Sequence, residues 1–306
     1  MKPVTRLFLI GAPIVVTAAV ILGAGDDTEV LADHPPSYAG RSGAPNPLAP
    51  GALENEEEVR ERIDSMPPGL AAPEKKEIAA RLVASAESST LDWRSLYGAI
   101  EDFHDGNGYT AGIIGFCSGT NDMLQLVESY TRSHPDNPLA SYLPALRAVD
   151  GTDSHEGLDP GFRDAWAKAA RSPDFRAAQE AARDRIYFEP AVQLAKLDGL
   201  GTLGQFIYYD AMVLHGPGVD AHGFYGIRQA ALKRAKSPDR GGDEKAYLNA
   251  FLDSGRSVIK AGLITTQRDS SRIDTAQRNF LRDGNMTLDP PLSWQMYEET
   301  FRIAAH

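Results

Sequence analysis

Residues 85–120 read SAESSTLDWRSLYGAIEDFHDGNGYTAGIIGFCSGT, and two of their carboxylates sit in contrasting settings. Glu87 closes residues 75–87 (KKEIAARLVASAE), where Ile78, Leu82, Val83 and Ala86 share one face at helical spacing. The last turn of a helix meets the negative end of the helix dipole, which disfavours a charged carboxylate. A carboxyl kept protonated near neutral pH is what a general acid needs. Asp105 lies in the turn-forming run Asp105-Gly106-Asn107-Gly108, an open and polar place where an ionised carboxylate is comfortable. One carboxyl biased toward the acid and one toward the anion is the pattern of a glycosidase pair. The chain carries 42 acidic residues, so such a pair also arises by chance. On these residues alone, a surface acid and a turn former are the simpler description.

Outward from this stretch the pattern is helical. Amphipathic or apolar runs predict helices over residues 121–132, 161–183, 190–199, 200–215, 224–236, 243–263 and 275–283. Residues 109–117 (YTAGIIGFC) are the one strand-like region. The predicted fold class is therefore mainly α (α+β). Two of the helices carry an ion inside their apolar stripe. Asp210 falls in line with Leu203, Ile207 and Leu214, and Arg256 with Leu248, Leu252, Ile259 and Leu263. An unpaired charge there would cost several kcal/mol (roughly,), so the spacing predicts that Asp210 and Arg256 meet, with Arg272 near enough to join. A structural ion pair and a catalytic support explain that spacing equally well.

Lys2 and Arg6 precede an apolar run that ends near Gly25, which reads as a signal peptide over residues 1–25. Residues 26–73 hold eight prolines and ten acids with no sustained apolar period, and read as a disordered linker or pro-segment. Residues 54–64 offer at most one short helix. The remaining chain, 74–306, is expected to form the catalytic domain. The protein is thus expected outside the cell, free of the membrane once the signal is cleaved. The net charge of −11 argues against nucleic acid, whose phosphates need basic patches, and fits a cationic partner. One cysteine, Cys117, allows no internal disulfide. The seven histidines show no metal-ligand spacing, so neither a metal nor a cofactor is expected. Residues 106–111 fit the glycine pattern of a dinucleotide site, but a helix-like acidic stretch precedes them and a strand-like one follows, the wrong order for that fold. Trp93, Trp166 and Trp294 are isolated and read as core.

Residues 85–120 resemble the signature region of the family 46 glycoside hydrolases, the chitosanases. The resemblance continues in order through YLPAL (142–146), DRIYF (184–188), LGQF (203–206), HGPG (215–218), GGDE (241–244), Gln277-Arg278 and NMTLDPP (285–291). It implies a lysozyme-like fold of two mostly helical lobes, with a small β-sheet in one and a substrate cleft between them. It implies endo-acting hydrolysis of chitosan, a cationic polysaccharide, with inversion at the anomeric carbon. Glu87 would donate the proton, Asp105 would activate water and Thr110 would position it. Asp122 would contact the amino sugar, with Tyr187 and His215 also near the cleft. Asp210, Arg256 and Arg272 would form the ion network behind the acid. In an inverting enzyme the two carboxyls stand roughly 6.5–9.5 Å apart to admit the water. The chain departs from the family at His104, often Gly, at Asn107, often Arg, and in about two extra residues within 262–271. A monomer is expected. The alternative is a secreted chitosan-binding protein that has lost catalysis; Glu87, Asp105 and Thr110 all being present gives that reading no support.

Overall fold

The structure is a computed structural model that describes residues 56–262 and 269–305. Helices α1 (Glu56–Ser65) and α2 (Pro73–Ser88) lead into a three-stranded antiparallel sheet of β1 (Ile100–Asp102), β2 (Tyr109–Ala111) and β3 (Phe116–Cys117), with β2 in the middle. Around it lie α3 (Asp122–Ser133), α4 (Leu143–Val149), α5 (Phe162–Ala169) and α6 (Pro173–Arg183); α3 packs on α4 and α6, and α5 on β1. A π-helical turn, Asp184–Phe188, runs into α7 (Glu189–Leu197). The remaining elements gather on α8 (Thr202–His215), whose residues 203–212 are all buried. That follows from its sequence, LGQFIYYDAM, which is apolar on nearly every side and so must be enclosed on every side. Helices α9 (Phe224–Leu232) and α10 (Glu244–Ala261) pack on α8 and on one another. A second π-helical turn, Arg272–Gln277, continues as α11 (Arg278–Arg282) and contacts a C-terminal hairpin of β4 (Leu292–Met296) and β5 (Glu299–Ile303).

The mainly helical fold with a small sheet is the one predicted, with three local differences. The helix expected over 161–183 is two helices, because Pro173 has no N–H to continue the first and Ser172 Oγ caps the second by accepting from Asp174 N at 3.2 Å. The acidic stretch before the Gly-rich turn is strand β1 rather than helix. A dinucleotide fold is still excluded, because strand and not helix follows the turn. The hairpin at 292–303 adds two strands to the single strand-like region predicted; Leu292, Trp294 and Met296 alternate with polar residues there, at the two-residue period of a half-buried strand. The three tryptophans are core, as expected.

Residues 1–55, with the expected signal peptide and most of the expected linker, lie outside the described residues. From residue 56 onward the linker reading is corrected. Val59 and Ile63 of α1 are buried, and Leu70 is fully enclosed. Leu70 N donates to Gln205 Oε1 of α8 at 2.8 Å, and a side chain at Gly69, whose φ is +58°, would meet that same amide. Three apolar residues are too few to build a core of their own, yet they suffice where α8 meets the turn bearing Leu70 and α7 meets α1. Leu70→Ala is therefore expected to lower stability by about 2–4 kcal/mol in chemical denaturation. A loss below about 0.5 kcal/mol, the scale of ordinary surface changes, would show that this segment does not belong to the core.

Candidate active site

Three consecutive residues at the end of α2 are each tied to the C-terminal part of the chain. Trp294 Nε1 of β4 donates to Ser85 Oγ at 3.0 Å. Tyr297, in the turn between β4 and β5, donates its hydroxyl to the Ala86 carbonyl at 2.8 Å. Arg272 Nη2, from the second π-helical turn, donates to Glu87 Oε1. Helix α2 then stops, because Ser89 turns left-handed at φ +48°. Glu87 keeps 28% of its side-chain surface exposed, while Arg272 keeps only 9%. Arg272 also faces Asp210 of α8, its Nη1 lying 3.7 Å from Oδ2. Asp210 is 3% exposed and accepts a 2.6 Å hydrogen bond from Gln277 Nε2. Burial pushes the Asp210 carboxyl up, and the Arg272 charge pulls against it. Burial likewise opposes the guanidinium's charge, and Asp210 and Glu87 restore it.

Asp105 stands in the connection from β1 to β2, where its Oδ1 accepts from Asn107 N at 3.1 Å. The connection is held at its start by Asp102. That carboxylate accepts from His104 N at 2.7 Å and pairs with His104 Nδ1 at 2.9 Å. His104 has φ +53°, a conformation usually left to glycine, so these two contacts hold a backbone that the residue itself disfavours. At its end, Gly108 runs against Ser118, whose Oγ accepts from Tyr109 N at 2.9 Å. Thr110 follows on β2, its Oγ1 3.3 Å from Cys117 Sγ on β3. Burial raises the Cys117 thiol well above its ordinary range, so it is no nucleophile. Cys117 N donates at 3.0 Å to Asp122 Oδ1, which also accepts from Thr120 Oγ1 at 2.8 Å and from Met123 N at 2.9 Å. Asp122 Oδ2 accepts the Tyr187 hydroxyl at 2.7 Å. The loop bearing Asp105, the small sheet, the start of α3 and the first π-helical turn thus form one connected polar chain. Each carboxylate occupies a different chain of contacts, one rigidly backed and one carried by a loop.

The model of the family described as glycosyl hydrolase family 46 matches residues 81–292. The chain belongs to that family. It is 56% identical over 237 residues to a chitosanase of Streptomyces sp. (strain N174), covering 77% of this chain and 84% of that protein. It is 35% identical over 226 residues to a chitosanase of Bacillus subtilis (strain 168), covering 72% of this chain and 81% of that protein. Among solved structures, the chitosanase OU01 with substrate superposes with a TM-score of 0.75 at 52% identity, covering 77% of this chain and 98% of that one. A Gynuella sunshinyii family 46 chitosanase in complex with chitotetraose superposes at 0.72 and 30% identity, covering 77% of this chain and 99% of that one. The lysozyme-like fold implied by the resemblance is thereby the fold of this chain.

In this family 46 chain the structure brings Glu87, Arg272, Asp210 and His215 together and separately links Thr110, Asp122 and Tyr187. It corrects the place of Arg256. That residue is 43% exposed in its side chain and pairs with Asp274, not Asp210, at 2.9 Å. The stripe drawn through Leu248, Leu252 and Arg256 advanced four residues per turn and drifted off the helix face. At 100° per residue, position 256 stands about 80° from Leu248 and position 255 only about 20° from it. The residue facing Asp210's surroundings is Gly255, which has no side chain to announce itself; Leu263 lies outside the described residues. His215 is 2% exposed at the end of α8, where it borders a small cavity together with Asp210 and Arg272. Trp294, read only as core, and Gln277, quoted only within the resemblance, prove to hold the site, and Tyr297 and Asp102, which also hold it, carry no signal in the sequence reading. The alternation at 292–296 was the available signal for the first, while the others become visible only when distant segments meet.

Burial pushes the Asp122 carboxyl up from 3.8 to about 6, with its hydrogen bonds opposing. The folded state then binds this proton more tightly than the unfolded chain, so the carboxyl's contribution to stability is greatest below about pH 4 and is lost as pH rises toward and past 6. Asp122→Asn has no such titration. Relative to wild type, the variant is expected to gain on the order of 2–3 kcal/mol between pH 3.5 and pH 7 in denaturant unfolding. A stability difference that does not change with pH would contradict the burial of this carboxyl.

Proposed function

We propose that the chain is a secreted, monomeric, endo-acting chitosanase that hydrolyses β-1,4 bonds between glucosamine residues with inversion of configuration. The observation that carries this reading is the ion pair of Glu87 with the enclosed Arg272, at the helix end that Trp294 and Tyr297 also hold. Its relatives of high identity are chitosanases, and two similar structures are described with substrate or chitotetraose. Glu87, protonated at the start of the cycle, gives its proton to the glycosidic oxygen as the bond to the anomeric carbon breaks. The departing proton leaves a glutamate anion, which the fixed guanidinium of Arg272 stabilises without having to move. Asp105 takes a proton from water as the water oxygen attacks the opposite face of the sugar, and Thr110 Oγ1 orients that water. Proton exchange with solvent restores both carboxyls. A base on a loop suits this chemistry, since it can close on substrate after the polymer has entered. Asp122 supplies the anion for an amino group of the sugar, and the chain's acidic balance favours a polycation's approach. Export of the protein rests on residues 1–25 as a signal peptide.

The test is release of reducing ends from fully deacetylated chitosan and from chitin. Glu87→Gln and Asp105→Asn are each expected to lower kcat by about 10²–10⁴-fold. Both should fold; Glu87→Gln should melt lower, because Arg272 then loses one charged partner, and Asp105→Asn should melt as wild type does. Near-normal turnover in either variant would overturn its assigned role. Polymer binding without turnover by the wild type would make the chain a chitosan-binding protein instead, and preferential cleavage of chitin would overturn the substrate.

A further inference from the structure

Behind the Glu87–Arg272 pair lies a small cavity of about 10 Å³ lined by Asp210, His215, Gly255, Arg272, Ile273 and Gln277, among others. That is about the room one water needs. Two of the residues lining it have polar atoms with unmet demand. Arg272 Nη1 is sealed from solvent and finds no hydrogen-bond partner among the described residues, since Asp210 Oδ2, at 3.7 Å, is beyond reach. His215 Nδ1 is sealed in the same way and interacts with the His222 backbone, while the ring's Nε2 lies toward Gly255. Buried polar atoms left unpaired are costly, and Arg272 Nη1, facing Asp210 beside a water-sized space, is a strong constraint. Empty cavities that stay dry are apolar; this one is apolar over most of its lining, with Leu214, Phe251 and Leu252 beside it, but it is also bordered by a carboxylate, a guanidinium, an imidazole and an amide.

We infer that this cavity is a binding site for a single structural water, which accepts from Arg272 and donates to Asp210 and His215, and that Gly255 and His215 are positioning residues for the proton donor through it. The inference rests on Glu87 being that donor. Burial, and then the Arg272 charge, push the His215 imidazole down to about 3, so the ring stays neutral and keeps a lone pair for the water. Gly255 keeps the space open. A Cβ built there would touch His215 Nε2 at 3.5 Å and Ile273 Cδ1 at 3.7 Å, ordinary contacts that need no rearrangement. The glycine is therefore not required by crowding or by its backbone, because it sits within α10, where alanine is the better helix former. What a methyl group would remove is the space itself. The water completes the second branch of a guanidinium whose first branch holds Glu87, so losing it frees Arg272 to turn and Glu87 to drift.

The test uses the full chain and the variants Gly255→Ala and Gly255→Ser. The alanine should melt no lower than wild type, yet lower kcat on chitosan about tenfold with KM within about twofold, as expected of a misplaced acid. The serine puts a hydroxyl where the water stood and should recover most of that kcat. Crystal structures at high resolution should show one ordered water within hydrogen-bond distance of Arg272 Nη1 in the wild type and none in the alanine variant. An apolar, empty cavity in the wild-type crystal would overturn the inference, whatever the activity. So would an alanine variant with unchanged kcat and pH profile. A wild type that shows the water but does not cut chitosan would leave the water site standing and overturn the proposed function instead.

Discussion

Arg272 is a cation taken almost wholly out of water, and the protein is arranged around meeting its demand. Burying a guanidinium is costly unless carboxylates and hydrogen-bond acceptors surround it. Glu87 and Asp210 answer from α2 and α8, two helices separated in sequence by more than a hundred residues. Meeting both fixes how the end of α2 approaches the inner part of α8. The π-helical turn that carries Arg272 widens the helix by one residue, the kind of local irregularity that helices often show at functional positions. The pair is also asymmetric in a useful way. Asp210 is sealed and meets only Arg272 and Gln277 among its described polar partners, while Glu87 stays partly open.

The small sheet obeys a different constraint. Its strands have three, three and two residues, too short to be stable alone, so it depends on side chains bonding to main chain at its margins. Asp102, Ser118 and Asp122 do this, each carboxylate or hydroxyl accepting a backbone N–H next to the loop that bears Asp105. The result is a loop held at both feet, with the Asn107 carbonyl also accepting from Gly119 N at 3.0 Å. Rigid backing for Glu87 and a loop for Asp105 suit the division of labour that the proposed inverting hydrolysis requires, since water and polymer must both enter before the base can act.

Much of this was legible in the sequence because it is written locally. The period of residues 75–87 announces α2, and the apolar character of 203–214 announces a helix enclosed on all sides. Asp210 could be recognised as an ion in need of a partner from that enclosure alone. Its partner could not, because pairing depends on which face of α10 turns inward, and a stripe counted four residues at a time rotates away from the true face. Gly255 shows the limit well: a position defined by the absence of a side chain gives no hydrophobic or charged signal. Residues 56–72 failed for a related reason. Their few apolar side chains, Val59, Ile63 and Leu70, are sparse in a run of charged residues and prolines, and their burial depends on surface that the rest of the domain provides. The resemblance to family 46 carried Glu87, Asp105 and Thr110, and Asp210 and Arg272 behind Glu87, onto this chain, but the contacts that Trp294, Tyr297 and Gln277 make there emerged only from geometry.

The central claim is that the proton donor works because a buried cation holds it, and that the cation is in turn held by Asp210. Asp210→Asn tests this most directly, since Asp210 is sealed from solvent and its described polar contacts are with Arg272 and Gln277 rather than with Glu87. The measurement is kcat and KM on fully deacetylated chitosan for wild type and Asp210→Asn, with far-UV circular dichroism to confirm the fold. The account predicts a fall in kcat of at least about tenfold with KM nearly unchanged, as for an interaction expressed only in the transition state. A folded Asp210→Asn enzyme with wild-type kcat would contradict it.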